Sequence, residues 1–114
     1  MTVLLVEPGT VPRRAEIDND LKAMQEVVGG LIQAVYPFEE PVALICNEEG
    51  KLLNLPMNRF LMDENRVVYD LVVGTFFLCS APADSEDFES LSEEQINHYQ
   101  EMFRNPDLFM GGAE

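Results

Sequence analysis

Residues 66–81 form the longest apolar run of the chain, RVVYDLVVGTFFLCSA. The run is rich in β-branched and aromatic residues, which favour strands. It is shorter than the roughly 20 apolar residues that a membrane-spanning helix needs. Gly74 lies in its middle, where a glycine indicates a bulge, a bend or a close approach of backbone. The run therefore predicts two strand pieces, Val67–Asp70 and Gly74–Ser80.

Four other short stretches also predict strands. TVLLVE ends at the turn signal Pro8-Gly9, and RRAEI and LIQAVYPF alternate between apolar and polar residues. PVALICN is nearly all apolar, which is typical of a central strand. These stretches cover residues 2–7, 13–17, 31–38 and 41–47.

The segment after the last of these strands predicts a hairpin. Asn47-Glu48-Glu49-Gly50 matches a type I turn followed by a glycine bulge, so Lys51–Leu55 is expected to return as a strand. Pro56 and the asparagines around it exclude a regular central strand. Met57–Met62 is expected to form one helical turn instead.

Two segments have helical spacing, with apolar residues at i, i+3 and i+7. These are Leu21, Met24 and Val28 in the first segment and Ile96, Tyr99 and Phe103 in the second. We expect Asp18 or Asn19 to cap a helix from about Asp20 to Val28, and Gly29-Gly30 to end it. Ser92 with Gln95 fits a capping box at the start of the second helix.

The chain has 114 residues, of which 46% are hydrophobic, so one domain with a real core is expected. The elements predict an α+β fold: a mixed, mostly antiparallel sheet of five or six strands with two helices packed on it. The domain should span residues 1–105, with 106–114 as a flexible tail. Cys46 and Cys79 lie in apolar runs, which favours buried thiols over a disulfide and a cytoplasmic location.

Charge restricts the partners of the chain. The chain has twenty-one acidic and seven basic residues, a formal net charge of −14, and from Ala81 onward Arg104 is the single base. Such a chain is poorly suited to bind a phosphate backbone or an anionic membrane directly. Its natural counterpart is a basic protein surface, although solubility alone also explains a high net charge. The predicted acidic binding surface consists of Glu86, Asp87, Glu89, Glu93 and Glu94.

The loop around Pro56 offers a second candidate site, made of Asn54, Asn58 and Arg59. A guanidinium held by such a loop can grip a carboxylate or a phosphate in bidentate fashion. The alternative is that Arg59 pairs with one of the many acids of the chain.

Nothing in the sequence indicates catalysis or a cofactor. No serine or cysteine has a histidine in a suitable context, and the chain holds one histidine in all. Glu94, His98 and Glu101 share a helix face that could hold a metal ion, but that face lies opposite the apolar stripe, so a solvated acidic surface is favoured and no metal is predicted. Carboxylate catalysis stays open, because twenty-one acids give no way to choose a pair.

Four segments resemble a family of small uncharacterised proteins that carry only a domain-of-unknown-function label. They are DLKAMQEVVGGLIQAV, VALICNEEGKLLNLPMNR, DLVVGTFF and FESLSEEQINHY. The resemblance extends from about Val3 to Phe103. Genes of this family are typical of phages, plasmids and conjugative elements of Gram-positive bacteria, so the resemblance implies a mobile-element context.

Together these features predict a non-enzymatic accessory protein that binds a basic, for example nucleic-acid-binding, protein. In its strongest form it is a DNA mimic that occupies the nucleic-acid groove of a restriction or CRISPR nuclease. The alternative is an α+β module that binds a small molecule or peptide, with the Asn54–Arg59 loop as its mouth and a concave pocket beside Arg59.

Overall fold

The computed structural model describes residues 1–106 and has an α+β fold, as the sequence predicts. The strands are β1 (Thr2–Val6), β2 (Arg13–Glu16), β3 (Ile32–Val35), β4 (Val42–Asn47), β5 (Met57–Met62), β6 (Val68–Val73) and β7 (Phe76–Ser80). The helices are α1 (Leu21–Val28) and α2 (Glu93–Met102). Five strands form one sheet in the order β2-β1-β7-β4-β3, β5 and β6 form a separate ladder, and every one of these pairings is antiparallel. Of the predicted tail, all but Pro106 lies outside the described residues.

The three central strands β1, β7 and β4 are buried on both faces. Because side chains alternate along a strand, each strand contributes to two separate apolar clusters. Leu4, Val6, Val42, Leu44, Phe76 and Leu78 belong to the cluster on the α2 face. Val3, Leu5, Ala43, Ile45, Phe77 and Cys79 belong to the cluster on the α1 face. The molecule therefore has three layers, with the sheet in the middle.

Helix α1 begins at Leu21, one residue later than its predicted start at Asp20. Asp20 is the N-cap, and its carboxylate accepts a hydrogen bond of 2.8 Å from the Ala23 N–H. The prediction of Asp18 or Asn19 as the cap is wrong, because an N-cap must directly precede the first helical residue. Gly29 adopts a left-handed conformation (φ 82°) and ends the helix as expected.

Helix α2 follows its predicted signals closely. The Ser92 hydroxyl accepts from the Gln95 N–H, and the Gln95 side chain accepts from the Ser92 N–H, so both halves of the capping box are present. Ile96, Tyr99 and Phe103 are buried against the sheet. This apolar stripe holds α2 on the face of the sheet opposite to α1.

The turn predicted at residues 47–50 is present, since the Gly50 N–H donates to Asn47 O at 3.2 Å, but the returning strand predicted at residues 51–55 is wrong. Instead of returning as a strand, the chain makes a tight helical turn in which the Leu55 N–H donates to Gly50 O (3.0 Å) and the Asn54 N–H donates to Lys51 O (3.3 Å). This pair of bonds, with Asn54 in the left-handed region (φ 56°), is a Schellman motif. Gly50 is required because a Cβ there would lie 2.8 Å from Val73 Cγ2.

The helical turn expected at residues 57–62 is also wrong, since this segment forms strand β5. β5 pairs with β6 and lies outside the main sheet, which is compatible with the proline just before it. A two-stranded ladder is marginal in water by itself, and this one packs on the α2 face through Leu61 and Val72. Gly74 (φ 75°) makes a bend, one of the three features predicted for it, and it lies between β6 and β7 rather than inside the second strand.

Candidate functional site

Three connections of the chain meet at one end of the five-stranded sheet. The first connection, residues 17–20, follows β2. The second, residues 36–41, follows β3, and the third, residues 81–92, follows β7. The strand registers place Glu16 opposite Thr2 and Ser80 opposite Val42, so the last residues of β2 and β7 adjoin the first residues of β1 and β4. β3 likewise ends beside the start of β4.

These three connections contain eight acidic residues and no lysine or arginine. The acids are Asp18, Asp20, Glu39, Glu40, Asp84, Glu86, Asp87 and Glu89. Glu93 and Glu94 follow in the first turn of α2. We call the three connections and these two glutamates the acidic end. The connections at the opposite end of the sheet, residues 7–12, 29–31, 48–56 and 74–75, carry three acids and one lysine, so the charge of the molecule is polarised along the strands.

The segment 81–92 wraps over this end of the sheet and is fixed to it. Phe88 packs in the cluster under α1, and Leu91 packs in the cluster under α2. The Thr2 N–H donates to Ser90 Oγ at 2.8 Å, and the Leu91 N–H donates to Thr2 O at 3.0 Å. The Asn19 side chain donates to Phe88 O at 2.8 Å, which holds the segment beside the start of α1.

The structure places the five predicted acidic residues on two consecutive elements. Glu86, Asp87 and Glu89 lie in the wrapping segment, whereas Glu93 and Glu94 begin α2. All five are exposed. Within residues 1–106, Glu93 is the only one that forms an ion pair, with Arg14. The positive ends of both helix dipoles also point to this end of the sheet and reduce the repulsion among its acids.

The loop residues of the alternative site lie apart and have structural contacts. Asn54 closes the turn before β5 and is exposed, whereas Asn58 and Arg59 are 1% exposed. The Asn58 amide donates to Val6 O (3.0 Å) and Gly74 O (2.8 Å). These contacts give each of the three residues a role in stabilising the fold. A binding role for them stays a prediction.

Arg59 joins three elements. Its Nε and Nη2 donate to Phe103 O, just past the end of α2, at 3.1 and 2.9 Å. Nη2 also donates to Thr10 O in the turn between β1 and β2, at 2.5 Å, and Nη1 donates to Asn58 Oδ1 at 2.8 Å. Carbonyls at a helix C-terminus lack partners within the helix and favour a positive charge. The guanidinium therefore ties the β5–β6 ladder to α2.

A cavity of about 750 Å³ lies beside Arg59, between the tip of the β5–β6 ladder, the end of α2 and the connection after β3. A second cavity of about 490 Å³ lies along α2. Both are lined by Phe38, Glu39 and Met102, so they adjoin each other around Phe38. We call the two together the groove. The sequence predicts a pocket beside Arg59 with residues 54–59 as its mouth. The larger cavity is lined instead by β5 from Arg59 onward, the turn after it, the connection after β3 and the end of α2.

Tyr99 lies in the floor of the groove beside Glu40. The Tyr99 hydroxyl donates to Glu40 Oε1 at 2.5 Å, and its ring lies 4.6 Å from that of Phe38. Burial raises the pKa of Tyr99 well above its ordinary value, and the adjacent Glu40 carboxylate raises it further. The bond fixes the connection after β3 on α2.

No group of three histidine, cysteine, aspartate or glutamate residues within residues 1–106 is arranged to hold a metal ion. Glu94, His98 and Glu101 are all exposed on α2. Neither helix of the described part is long and apolar enough to cross a membrane.

A family model described as a domain of unknown function, DUF3846, matches residues 1–104. The chain belongs to this family. The match covers the acidic end and nearly all residues that line the groove, so both features lie within the DUF3846 domain. No curated protein and no solved structure matches the chain.

We predict that Arg59→Met lowers the free energy of unfolding by about 3 kcal/mol or more, because buried carbonyl oxygens lose charged hydrogen-bond donors. Arg13→Met is the matched control. Arg13 is exposed and its ion pair with Glu7 spans 3.5 Å, so its loss should cost less than about 1 kcal/mol. Urea denaturation followed by circular dichroism measures both values. Equal costs would show that Arg59 does not hold α2 and the ladder together.

We predict that the chain loses stability as pH rises above about 10, the ordinary pKa of tyrosine, in a way that depends on Tyr99. Its pKa is raised in the folded state, so above this pH the unfolded chain releases a proton that the folded chain keeps. Urea midpoints measured across alkaline pH should fall less steeply for Tyr99→Phe. Tyr36→Phe, at an exposed position, is the control and should follow the parent protein. Parallel curves for all three proteins would contradict the prediction.

Proposed function

We propose that this protein is a non-catalytic binding module whose acidic end docks on a basic surface of another protein. The observation that supports it is the absence of lysine and arginine from three neighbouring connections that hold eight acids. Surface acids that serve solubility alone are normally mixed with bases of the opposite sign. Here the cations lie on β2, in the first turn of α1 at Lys22, and beyond residue 50.

The physical effect of such an end is long-range attraction. A surface of one sign steers a partner of the opposite sign and increases the association rate, most strongly at low salt. Its reach is about one Debye length, roughly 8 Å at physiological ionic strength. Packing of Phe88 and Leu91 fixes the acids of the wrapping segment in place, so a partner would meet a preformed charge pattern with little ordering cost.

A more specific form of the proposal is DNA mimicry. A basic groove that binds nucleic acid meets closely spaced phosphate charges, and the acidic end offers carboxylates in their place. The partner would then be a restriction or CRISPR nuclease, and the protein a cytoplasmic accessory factor of a mobile genetic element. Identifying the genes that flank members of the family would directly test whether they lie in mobile genetic elements.

We predict that neutralising the wrapping segment weakens binding to a cationic probe. The variant is Glu86→Gln/Asp87→Asn/Glu89→Gln, and the probe is a labelled oligolysine peptide followed by fluorescence anisotropy over a salt series. Exposed charge pairs contribute about 0.2–1 kcal/mol each, so three losses should weaken binding on the order of tenfold at low salt.

The matched control is Glu26→Gln/Glu48→Gln/Glu49→Gln, which removes the same three charges from exposed positions outside the acidic end. The two variants have the same net charge as each other, so they differ only in where the three negative charges were removed. The control should bind nearly as tightly as the parent protein. Equal weakening of both variants would show that total charge alone attracts the probe, and the solubility explanation would stand.

For the mimicry form, we predict that the parent protein inhibits DNA binding by a susceptible restriction or CRISPR nuclease and that inhibition fades as salt is raised. Neutralising Glu86, Asp87, Glu89, Glu93 and Glu94 together should abolish the inhibition. A panel of such nucleases titrated with both proteins measures this. Inhibition that survives the five changes would rule out mimicry through these residues.

A further inference from the structure

The groove has apolar walls that are partly exposed to solvent. Leu61 and Phe103 lie at its floor, and Phe38 is partly buried between its two cavities. Met62 is 48% exposed, and Met102 is 50% exposed on the opposite wall. Methionine side chains are flexible and polarizable, and they recur at surfaces that accept side chains of varied shape. These walls can therefore take an apolar group from a partner.

Tyr69 of β6 extends this apolar surface at the mouth of the larger cavity, and 55% of it is exposed. A volume of about 750 Å³ lies within the range of sites that bind a ligand of moderate size. It is wide enough to receive at least one large side chain. The groove thus combines exposed apolar residues with a concave, solvent-open space.

Acids surround these apolar walls. They are Glu39, Glu40, Asp63, Glu64 and Glu94, all exposed. The cations that line the groove are Arg66 and the buried Arg59, whose guanidinium already donates to four oxygens. Glu39, Glu40 and Glu94 also belong to the acidic end. The apolar groove therefore opens directly into the surface of greatest negative charge.

We propose that the groove binds a segment of the partner protein that presents a large apolar side chain, such as phenylalanine or leucine, between lysines or arginines. The inference rests on the proposed function and names the recognition element of the partner. The apolar side chain enters between Met62 and Met102, and the basic neighbours face the acidic rim. A second copy of this chain is a poor occupant, because each copy carries a formal net charge of −14 and would bring a like-charged rim to the interface.

The test compares two labelled peptides that differ at one position. Both are short and rich in lysine, and one carries a central phenylalanine where the other has alanine. Burial of a large apolar side chain contributes about 1.5–3 kcal/mol. The phenylalanine peptide should therefore bind the parent protein at least about tenfold more tightly, by fluorescence anisotropy at moderate salt.

Two variants test whether the groove causes the preference for the phenylalanine peptide. Met62→Gln/Met102→Gln keeps the length of both side chains and the charge but makes the walls polar, and it should remove most of the advantage of phenylalanine over alanine. Leu52→Gln is the matched control, because Leu52 is 83% exposed in the turn at the opposite end of the sheet. This variant should retain the full advantage.

The outcomes separate this inference from the proposed function. If both peptides bind equally and the acidic-end variant weakens both, the proposed function stands and the groove proposal fails. If neither peptide binds even at low salt, both fail. If Met62→Gln/Met102→Gln keeps the preference for phenylalanine, the apolar contact lies elsewhere and the groove proposal fails. If sedimentation shows a dimer that these two changes dissociate, the groove is occupied by a second copy, which also overturns the proposal.

Discussion

Burial on both faces of β1, β7 and β4 is the constraint on which the rest of the structure depends. Each of these strands presents apolar side chains to both sides, and a sheet of this kind is stable only if both faces are covered. Helix α1 covers one face, while α2 and the β5–β6 ladder share the other. The ladder is too small to be stable by itself, and Arg59 secures it by bonding to the backbone beyond α2.

The position of the acidic end follows from this layered arrangement. The connections after β2 and β7 lead from the sheet into α1 and α2, and the connection after β3 leads into β4, and all three lie at the same end of the sheet. Gathering acids there costs stability through their mutual repulsion. The helix N-termini at the same end offset part of this cost. A protein that needed charge for solubility alone would lose less by spreading it, which supports a binding role for this end.

The acidic end and the groove have complementary properties. Charge acts at a distance and orients a partner, but exposed ion pairs add little to affinity once the partner is bound. Apolar contact acts only at short range, and it contributes more because it removes surface from water. Glu39 and Met102 both line the two cavities of the groove. A partner that carries both basic and apolar side chains would use both properties there.

The sequence by itself determined the elements that depend on local signals. The two apolar faces of the central strands can be recognised within a few residues, because side chains alternate along a strand and these runs are apolar at nearly every position. The bend at Gly74 and the capping box at Ser92 are equally local, because backbone sterics and short-range hydrogen bonds decide them. Only the tertiary structure decided the roles of Asn58 and Arg59. Their partners include the carbonyls of Thr10 and Phe103, which lie 49 and 44 residues from Arg59 along the chain. It likewise brought together the acids of three separate connections, because strand order, which depends on non-local pairing, sets which connections become neighbours.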